Sequence, residues 1–213
     1  MQEGVRLAAL VGSKVCHEIV GPMTGILHGL ELLKESDLAH RNAEALGLLE
    51  QGLQKVSAKL DFLRGSFAPN DGDSLTPLHE ARRLAEPLYA TVKPQLEWRA
   101  GDVLLPRTGL RVLMNLLLLA SDCLPKGGVV AVETQVEGGQ LEVRAVASGP
   151  RAALRPAVLG ALTGEPPEGG LQADLVIPAL TVLIARQAGY AVFTRVAPEC
   201  VVLGLRLPNP TPG

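Results

Sequence analysis

A histidine followed directly by a glutamate, His17 and Glu18, is the first pair of residues in the chain that could do chemistry. A neutral imidazole with one free nitrogen is a competent nucleophile toward a phosphoryl group near neutral pH. Glu18 could accept a hydrogen bond from the other ring nitrogen, which would fix the tautomer and stabilise the cation formed on attack. Lys14 could offset part of the charge of an incoming phosphate, or it could be an ordinary surface lysine.

The spacing of apolar residues around this pair predicts a helix with two different sides. At about 100° per residue, one side carries a continuous apolar stripe. The stripe consists of Val15, Ile19, Met23, Ile26, Leu30 and Leu33. The histidine falls on the opposite side of the helix, and Lys14, Thr24 and His28 lie near it. We therefore expect His17 to point to solvent, where a partner could reach it.

Two glycines follow the histidine, one and two helical turns further on. Glycine destabilises a helix by about 1 kcal/mol relative to alanine, so Gly21 and Gly25 suggest that another molecule approaches the backbone closely. Pro22 removes one helical hydrogen bond, but the apolar stripe keeps its phase beyond it, which predicts a bent helix and not a terminated one. Thr24 and His28 belong either to the same contact surface or to the ordinary surface, where the threonine would bond to its own helix.

A second helical repeat lies between residues 40 and 65, where apolar residues recur at alternating intervals of three and four. These residues are Leu46, Leu49, Leu53, Val56, Leu60 and Leu63. Residues 35–37 supply a turn, so residues 1–66 are predicted to form an antiparallel helical hairpin. Two helices cannot enclose such an apolar stripe, and pairing with a second copy of the chain would complete a dimeric four-helix bundle, that is, a homodimer.

A new domain is predicted to follow a linker at residues 67–76, which is rich in Pro, Asn, Asp, Gly and Ser. Thr76 and Pro77 are a favourable N-cap and first turn for a helix that would run to about Tyr89. Further helices are predicted over residues 106–122, 154–162 and 175–188, and strands over 95–100, 129–136, 141–147, 190–196 and 201–207. Residues 77–213 should therefore place helices on one face of a mostly antiparallel sheet, which is the α+β class.

The composition narrows the possible partners. With 47% hydrophobic residues and a formal net charge of −2 over 213 residues, most of the chain must fold, and no basic excess is present to hold nucleic acid or an anionic membrane. The apolar run at residues 113–120 is far shorter than the roughly 20 residues that span a bilayer, and the N-terminus lacks a signal-peptide cleavage region. Three widely spaced cysteines form no metal-binding pattern. We expect a cytoplasmic protein without a resident metal.

Two motifs resemble those of a known family. The sequence H-E-I-V-G-P at residues 17–22 resembles the H-box of two-component histidine kinases, in which the phosphorylated histidine is followed by an acidic residue and, five places on, by a proline. Residues 111–128 are similar to the N-box of the kinase ATP-binding domain, which has the Bergerat (GHKL) fold, and Asn115 matches the first asparagine of that box. The resemblance implies that residues 77–213 form a Bergerat α/β sandwich.

The residues that bind nucleotide in that family are replaced here. Leu119 stands where the family has the asparagine that holds magnesium, and leucine offers no oxygen ligand. Asp122 replaces a basic residue, and Ala147 replaces the aspartate that reads the adenine amino group. No glycine-rich phosphate lid precedes Ala188. The resemblance therefore implies a degenerate kinase domain that holds no cofactor.

A dimeric H-box hairpin followed by a degenerate kinase-like domain is the arrangement of histidine phosphotransferases of the ChpT type, and the chain resembles that family. The resemblance implies a phosphorelay in which His17 receives a phosphoryl group from the receiver domain of a hybrid histidine kinase and passes it to receiver domains of response regulators. The receiver would supply the Mg²⁺, and Glu18 would orient the imidazole. The residues expected to contact the receiver are Lys14, Gly21, Thr24, Gly25 and His28.

Two other functions are compatible with the sequence. An ATP-dependent histidine kinase with divergent nucleotide boxes would bind nucleotide despite Leu119 and Ala147. A non-catalytic dimeric adaptor would bind receiver domains without accepting a phosphoryl group. A phosphatase is disfavoured, because kinases that dephosphorylate their partners usually orient water with a polar side chain four residues after the histidine, and Gly21 stands there.

Overall fold

The computed structural model describes residues 2–35, 39–67, 74–165 and 170–210. The chain divides into two compact units, Met1–Arg64 and Gly65–Gly213. The first unit is a pair of helices built from α1 (Gln2–Glu35) and most of α2 (Ala39–Phe67). The turn predicted at residues 35–37 falls largely outside the described residues, which resume at the start of α2.

The two helices approach each other closely at two glycines. A Cβ atom on Gly52 would lie 2.5 Å from Cγ1 of Ile26, and one on Gly29 would lie 3.0 Å from Cγ of Leu49. Larger residues at these positions would push the helices apart, so the glycines set the distance between them. The helix α1 is 34 residues long and passes unbroken through Pro22, as the phase of its apolar residues predicts.

This contact leaves an apolar stripe on α2 open to solvent. Leu46, Leu53 and Leu60 are 51%, 58% and 45% exposed. They are seven residues apart and therefore lie on one line along the helix, whereas Leu49 is half-buried and Leu63 is buried. Half of the predicted apolar repeat is thus uncovered in the single chain, because the hairpin cannot enclose it.

The second unit is an α/β structure. Its elements in chain order are β1 (Leu75–Pro77), α3 (His79–Tyr89), β2 (Gln95–Trp98), β3 (Leu104–Pro106), α4 (Arg107–Asp122), β4 (Val129–Glu137), β5 (Gln140–Ser148), α5 (Pro156–Thr163), a short 3-10 helix (Ala173–Leu175), α6 (Val176–Gln187), β6 (Ala191–Ala197) and β7 (Cys200–Pro208). Five strands form a mixed sheet in the order β2-β4-β5-β7-β6. The strands β2 and β4 are parallel, and the other neighbours in this sheet are antiparallel.

The sheet buries one face and exposes the other. The buried residues of β5 alternate along the strand and are Leu141, Val143, Ala145 and Ala147. The helix α4 packs on β5 and β7, and α6 packs on α4. Across the opposite face, Arg144 pairs with Glu133 at 2.9 Å and Arg206 pairs with Glu142 at 3.0 Å. One covered and one solvated face is typical of antiparallel sheets, and the layers form the α/β sandwich that the sequence predicts.

The start of this unit differs from the sequence prediction. The sequence predicts a helix beginning at Thr76 and Pro77, whereas both residues lie in β1, which pairs with β3 in a register that places Thr76 opposite Leu105. The helix α3 begins at His79 instead. The fixed φ of proline suits an extended strand as well as a first helical turn, and the tertiary pairing with β3 decides between the two.

The linker predicted at residues 67–76 is correspondingly shorter at both ends. Phe67 still belongs to α2, and Leu75 already belongs to β1. Residues 68–73 lie outside the described part of the chain. The sequence does not predict strand β3, because three residues are too few to establish a period.

Candidate active site

The side chain of His17 is exposed near the middle of α1. This agrees with its position opposite the apolar stripe of the helix. Gly21, Thr24 and His28 follow at intervals of four, three and four residues and are exposed as well. The histidine therefore stands on an open helix face that extends for about three turns beyond it.

Glu18 links α1 to α2 beside the histidine. Its Oε1 atom lies 2.7 Å from Nζ of Lys14, and its Oε2 atom lies 2.6 Å from Nζ of Lys59. The three side chains are only 20% to 23% exposed. Ion pairs that are partly withdrawn from water are screened less than those on an open surface. Because Lys59 belongs to α2, the second ion pair joins the two helices.

Sequence analysis misses Lys59, which is distant from Glu18 along the chain. The register of the hairpin could have identified it, because Gly52 packs on Ile26 and the same antiparallel pairing brings Lys59 level with Glu18. The leucine repeat does not reveal that register. Glycines, and not the exposed leucines, form the close contact between the helices.

The two lysines keep Glu18 ionised. Partial burial raises the pKa of the Glu18 carboxyl, but hydrogen bonds from Lys14 and Lys59 and their positive charges together outweigh it and hold the pKa below its ordinary value. Glu18 is therefore a carboxylate throughout the neutral pH range. Its negative charge is compensated from both helices.

The contacts of Glu18 differ from those expected for a residue that orients the imidazole. Both carboxylate oxygens face lysines, and within the described ranges no side chain hydrogen bonds to the His17 imidazole. Adjacent residues on a helix point about 100° apart, so contact between these two side chains needs a change of rotamer. Each carboxylate oxygen can accept more than one hydrogen bond. Glu18 thus keeps the capacity to orient the ring, and that role stays a prediction.

Thr24 and His28 make local contacts along α1. The Thr24 hydroxyl donates a hydrogen bond to the Val20 carbonyl oxygen at 3.0 Å, which is the self-bonded arrangement that the sequence leaves open. Nδ1 of His28 lies 3.9 Å from a carboxylate oxygen of Glu31. Both residues are exposed, so either side chain is accessible to a partner.

Gly21 and Gly25 are not required by the packing of the hairpin. Gly21 is exposed and Gly25 is half-buried, and a Cβ atom on either would meet no heavy atom within 4 Å beyond its chain neighbours and its own helix backbone. Alanine would favour the helix by about 1 kcal/mol at Gly25, whereas at Gly21 the following Pro22 opposes a Cβ in the helical conformation. The glycines leave space beside the histidine that the described chain does not use.

Three of the four residues that align with nucleotide-binding residues of the histidine kinases lie in the core of the α/β unit. Leu119 is 4% exposed, and Asn115 and Ala147 are fully buried. Neither polar atom of the Asn115 side chain has a hydrogen-bond partner in the part of the chain that the structure describes. Asp122 is exposed at the end of α4.

Two further features are absent from the described ranges 2–35, 39–67, 74–165 and 170–210. These ranges contain no cluster of three or more His, Cys, Asp or Glu side chains suited to holding a metal ion. They also contain no helix that combines the length and the apolar character needed to cross a membrane.

An exposed histidine on a helical hairpin, followed by an α/β sandwich, is the arrangement that the H-box and N-box resemblance implies for a two-component signalling protein. Residues 78–199 match the family model described as the histidine phosphotransferase C-terminal domain. The chain is 32% identical over 199 residues to the protein phosphotransferase ChpT of Brucella abortus (strain 2308), and the alignment covers 92% of this chain and 93% of that relative. A solved structure described as a bacterial phosphotransferase superposes with a TM-score of 0.84 at 29% identity, covering 94% of this chain and 96% of the other.

The chain therefore belongs to the family of ChpT-type histidine phosphotransferases. This confirms the resemblance that its H-box and N-box motifs carry. The fold class is confirmed with it, namely α+β with an N-terminal helical hairpin and a following α/β sandwich. Phosphotransfer in a phosphorelay is the activity class of this family.

Replacing Glu18 by glutamine should weaken the hairpin at neutral pH and weaken it less in acid. The folded-state pKa lies below the ordinary value of 4.5, so the stabilising contribution of the carboxylate is complete above that value and is lost as the pH falls through the folded-state pKa. We expect Glu18→Gln to lower the free energy of unfolding by about 1–2 kcal/mol at pH 7. Urea unfolding followed by circular dichroism at pH 7 and pH 3 measures the difference.

Glu31→Gln is the matched control for this experiment, because Glu31 lies on the same helix with a side chain that is 71% exposed. We expect its effect to stay within about 0.5 kcal/mol at both pH values. A destabilisation by Glu18→Gln that is equally large at pH 3 and pH 7 would contradict the assignment of the effect to the carboxylate charge.

Proposed function

We propose that this chain passes a phosphoryl group between receiver-domain aspartates through a phosphohistidine at His17, without using ATP. The observation that supports this most directly is the exposed imidazole on an open helix face, with unused space at Gly21. In the first step a ring nitrogen of His17 forms a bond to phosphorus while the bond to the aspartyl oxygen breaks, and the aspartate carboxylate leaves with the electron pair. The other ring nitrogen keeps its proton, and Glu18 would accept a hydrogen bond from it. The second step is the reverse, on another receiver.

The proposed partners are the receiver domain of a hybrid histidine kinase as donor and receiver domains of response regulators as acceptors. The receiver would bring the Mg²⁺ that offsets the phosphoryl charge, so this chain has to supply only a positioned imidazole and a docking surface. The docking surface that we assign consists of Lys14, Gly21, Thr24, Gly25 and His28. The cytoplasmic location expected from the sequence remains a prediction.

The proposal that ATP is not used rests on the second unit. Leu119 and Ala147 are buried apolar residues at the positions where the kinase resemblance places the magnesium and adenine ligands. The Leu119 side chain offers no oxygen ligand for Mg²⁺, and the Ala147 side chain offers no acceptor for the adenine amino group. The α/β unit would then act as a structural and docking domain, while the chemistry belongs to the hairpin.

We further propose that the hairpin pairs with a second copy of itself. Two lines of apolar residues with a spacing of seven are open on its surface, Met23 and Leu30 on α1 and Leu46, Leu53 and Leu60 on α2. Contiguous apolar surface of this kind marks an interaction site, and the seven-residue spacing is that of helices packed side by side. A second hairpin presents the same stripes, so a four-helix bundle would cover them in both copies.

Labelled phosphate should reach the wild-type chain from a phosphorylated receiver domain and not from ATP. The protein is offered labelled ATP with Mg²⁺ and, separately, a labelled receiver domain freed of ATP. We expect label on wild type only in the second reaction and no label on His17→Gln, because glutamine has no nucleophilic ring nitrogen. His79→Gln, which changes an exposed histidine at the start of α3, outside the proposed docking surface, should be labelled like the wild type.

The other outcomes of this experiment point to the other two functions. Label from ATP alone would identify an ATP-dependent kinase. The absence of label with every receiver tested, together with stable binding of receivers, would identify an adaptor.

Replacing Gly21 by alanine should slow the transfer. The added methyl group meets no atom beyond its chain neighbours and its own helix backbone. Because Pro22 disfavours a Cβ on the preceding helical residue, we expect no gain in the free energy of unfolding. A receiver that approaches the backbone there would be displaced, and we expect transfer to His17 to slow about tenfold. Gly47→Ala also adds a methyl group in open space, on α2, and should stabilise the helix without slowing transfer. Equal transfer rates in the two variants would show that Gly21 lies outside the docking surface.

Replacing Leu53 by glutamate should dissociate the homodimer. The charge would be buried in the apolar contact between copies, where it has no partner. We expect Leu53→Glu to sediment as a monomer at concentrations at which the wild type is a dimer. Leu183→Glu alters a leucine of α6 that is 42% exposed, and it should leave the dimer intact. A dimer that survives Leu53→Glu would contradict the proposed bundle.

A further inference from the structure

We propose that Lys59 is a positioning residue for phosphorylation of His17, because it holds Glu18 from α2 and so frees Lys14 to move to the phosphoryl group. The inference rests on the proposed role of His17 as phosphate acceptor. It assigns a function to a residue that carries no motif and lies on the helix opposite the histidine. Lys14 and Lys59 would thereby have different tasks, although both contact the same carboxylate in the resting structure.

The geometry allows the two lysines to act separately. Lys14 contacts Oε1 of Glu18 and Lys59 contacts Oε2, at 2.7 and 2.6 Å. One ammonium group can leave its oxygen while the other stays in place. Lys14 is three residues before His17 on the same helix, a spacing at which side chains are neighbours. Lys59 is fixed to the other helix and ties Glu18 across the hairpin.

Lys59 matters because of the charges that surround Glu18 before and after phosphorylation of His17. The resting cluster of one carboxylate and two ammonium groups has one positive charge in excess, and phosphorylation adds about −1.5 to −2 next to it. Moving Lys14 to the phosphoryl group offsets part of that charge. Glu18 then depends on Lys59 alone, because a partly buried carboxylate without a partner is strongly unfavourable. Without Lys59, Glu18 would retain Lys14, and the phosphoryl group would lose its counter-charge.

A purely structural role would give a different pattern of effects. If Lys59 only fastened the helices together, its loss would impair the protein whether or not Lys14 is present. If Lys59 acts by freeing Lys14, its loss should matter only while Lys14 is present. Non-additivity between the two substitutions therefore separates the two roles.

The experiment measures phosphorylation of His17 by phosphoramidate, a small donor that requires no receiver domain. A ring nitrogen of His17 forms the bond to phosphorus, the phosphorus–nitrogen bond of the donor breaks, and ammonia leaves. The variants are Lys59→Met, Lys59→Arg, Lys14→Met and the double variant Lys14→Met/Lys59→Met. Lys55→Met is the control, since Lys55 is an exposed lysine one turn earlier on α2. Wild type and His17→Gln set the upper and lower limits of the rate.

We expect Lys59→Met and Lys14→Met each to slow phosphorylation about tenfold, as loss of one ionic contact to the reacting group does. The double variant should be no slower than Lys14→Met alone. Lys59→Arg should recover most of the rate, because arginine also supplies a charge to Oε2, and Lys55→Met should match the wild type. Circular dichroism checks that each variant remains helical.

Three results would overturn the proposal. Lys59→Met could be phosphorylated at the wild-type rate, or Lys59→Arg could be as slow as Lys59→Met. The double variant could also be slowed by the product of the two single fold-reductions in rate, which would mean that the two lysines act independently. Because phosphoramidate replaces the receiver domain, this experiment tests the role of Lys59 separately from the proposed phosphorelay. If the expected pattern appears with phosphoramidate while no receiver domain transfers phosphate to the wild type, Lys59 has the proposed task and the phosphorelay proposal fails. If receivers phosphorylate His17 but the phosphoramidate rates do not show the expected pattern, the phosphorelay proposal is supported and the proposed role of Lys59 is wrong.

Discussion

The carboxylate of Glu18 ties α1 to α2 beside the histidine that we propose as the phosphate acceptor. A phosphate-accepting histidine has to be exposed to large partners, yet it must keep a fixed position on a helix that has few neighbours of its own. Glu18 meets this constraint from the residue next to His17, because its two oxygens pair with Lys14 on α1 and Lys59 on α2. The anchoring is therefore ionic and adjacent to the histidine, while the imidazole itself stays open.

The distribution of side-chain size in the hairpin follows from the same requirement. Gly29 and Gly52 let α1 and α2 approach closely, which brings the long side chain of Lys59 within reach of Glu18. The apolar residues that would ordinarily fill a helix contact are exposed instead, Leu53 among them, and are available for a second copy. Gly21 leaves open space on the side of the histidine. Small residues thus serve two purposes, close packing inside the hairpin and access outside it.

Much of the fold could be predicted from the sequence, because the apolar periods of α1 and α2 are long and regular and the strands β4 to β7 are rich in β-branched and apolar residues. The exposure of His17 followed from its place opposite the apolar stripe. The sequence did not reveal the partners of Glu18, because Lys59 lies on another helix and the glycine contacts that set the register leave no hydrophobic signal. It also assigned Thr76 and Pro77 to a helix, because a pairing as short as β1 with β3 depends on tertiary structure that no local pattern records.

We propose that one ring nitrogen of His17 carries the phosphoryl group. The measurement that tests it most directly is site mapping by mass spectrometry, after wild-type protein has reacted with a phosphorylated receiver domain and been digested at alkaline pH, where phosphohistidine survives. With fragmentation that resolves single residues, we expect phosphate on His17, lost on brief exposure to acid, and on no other residue. Phosphate that resists acid, or that maps to His28, His40 or His79, would contradict it.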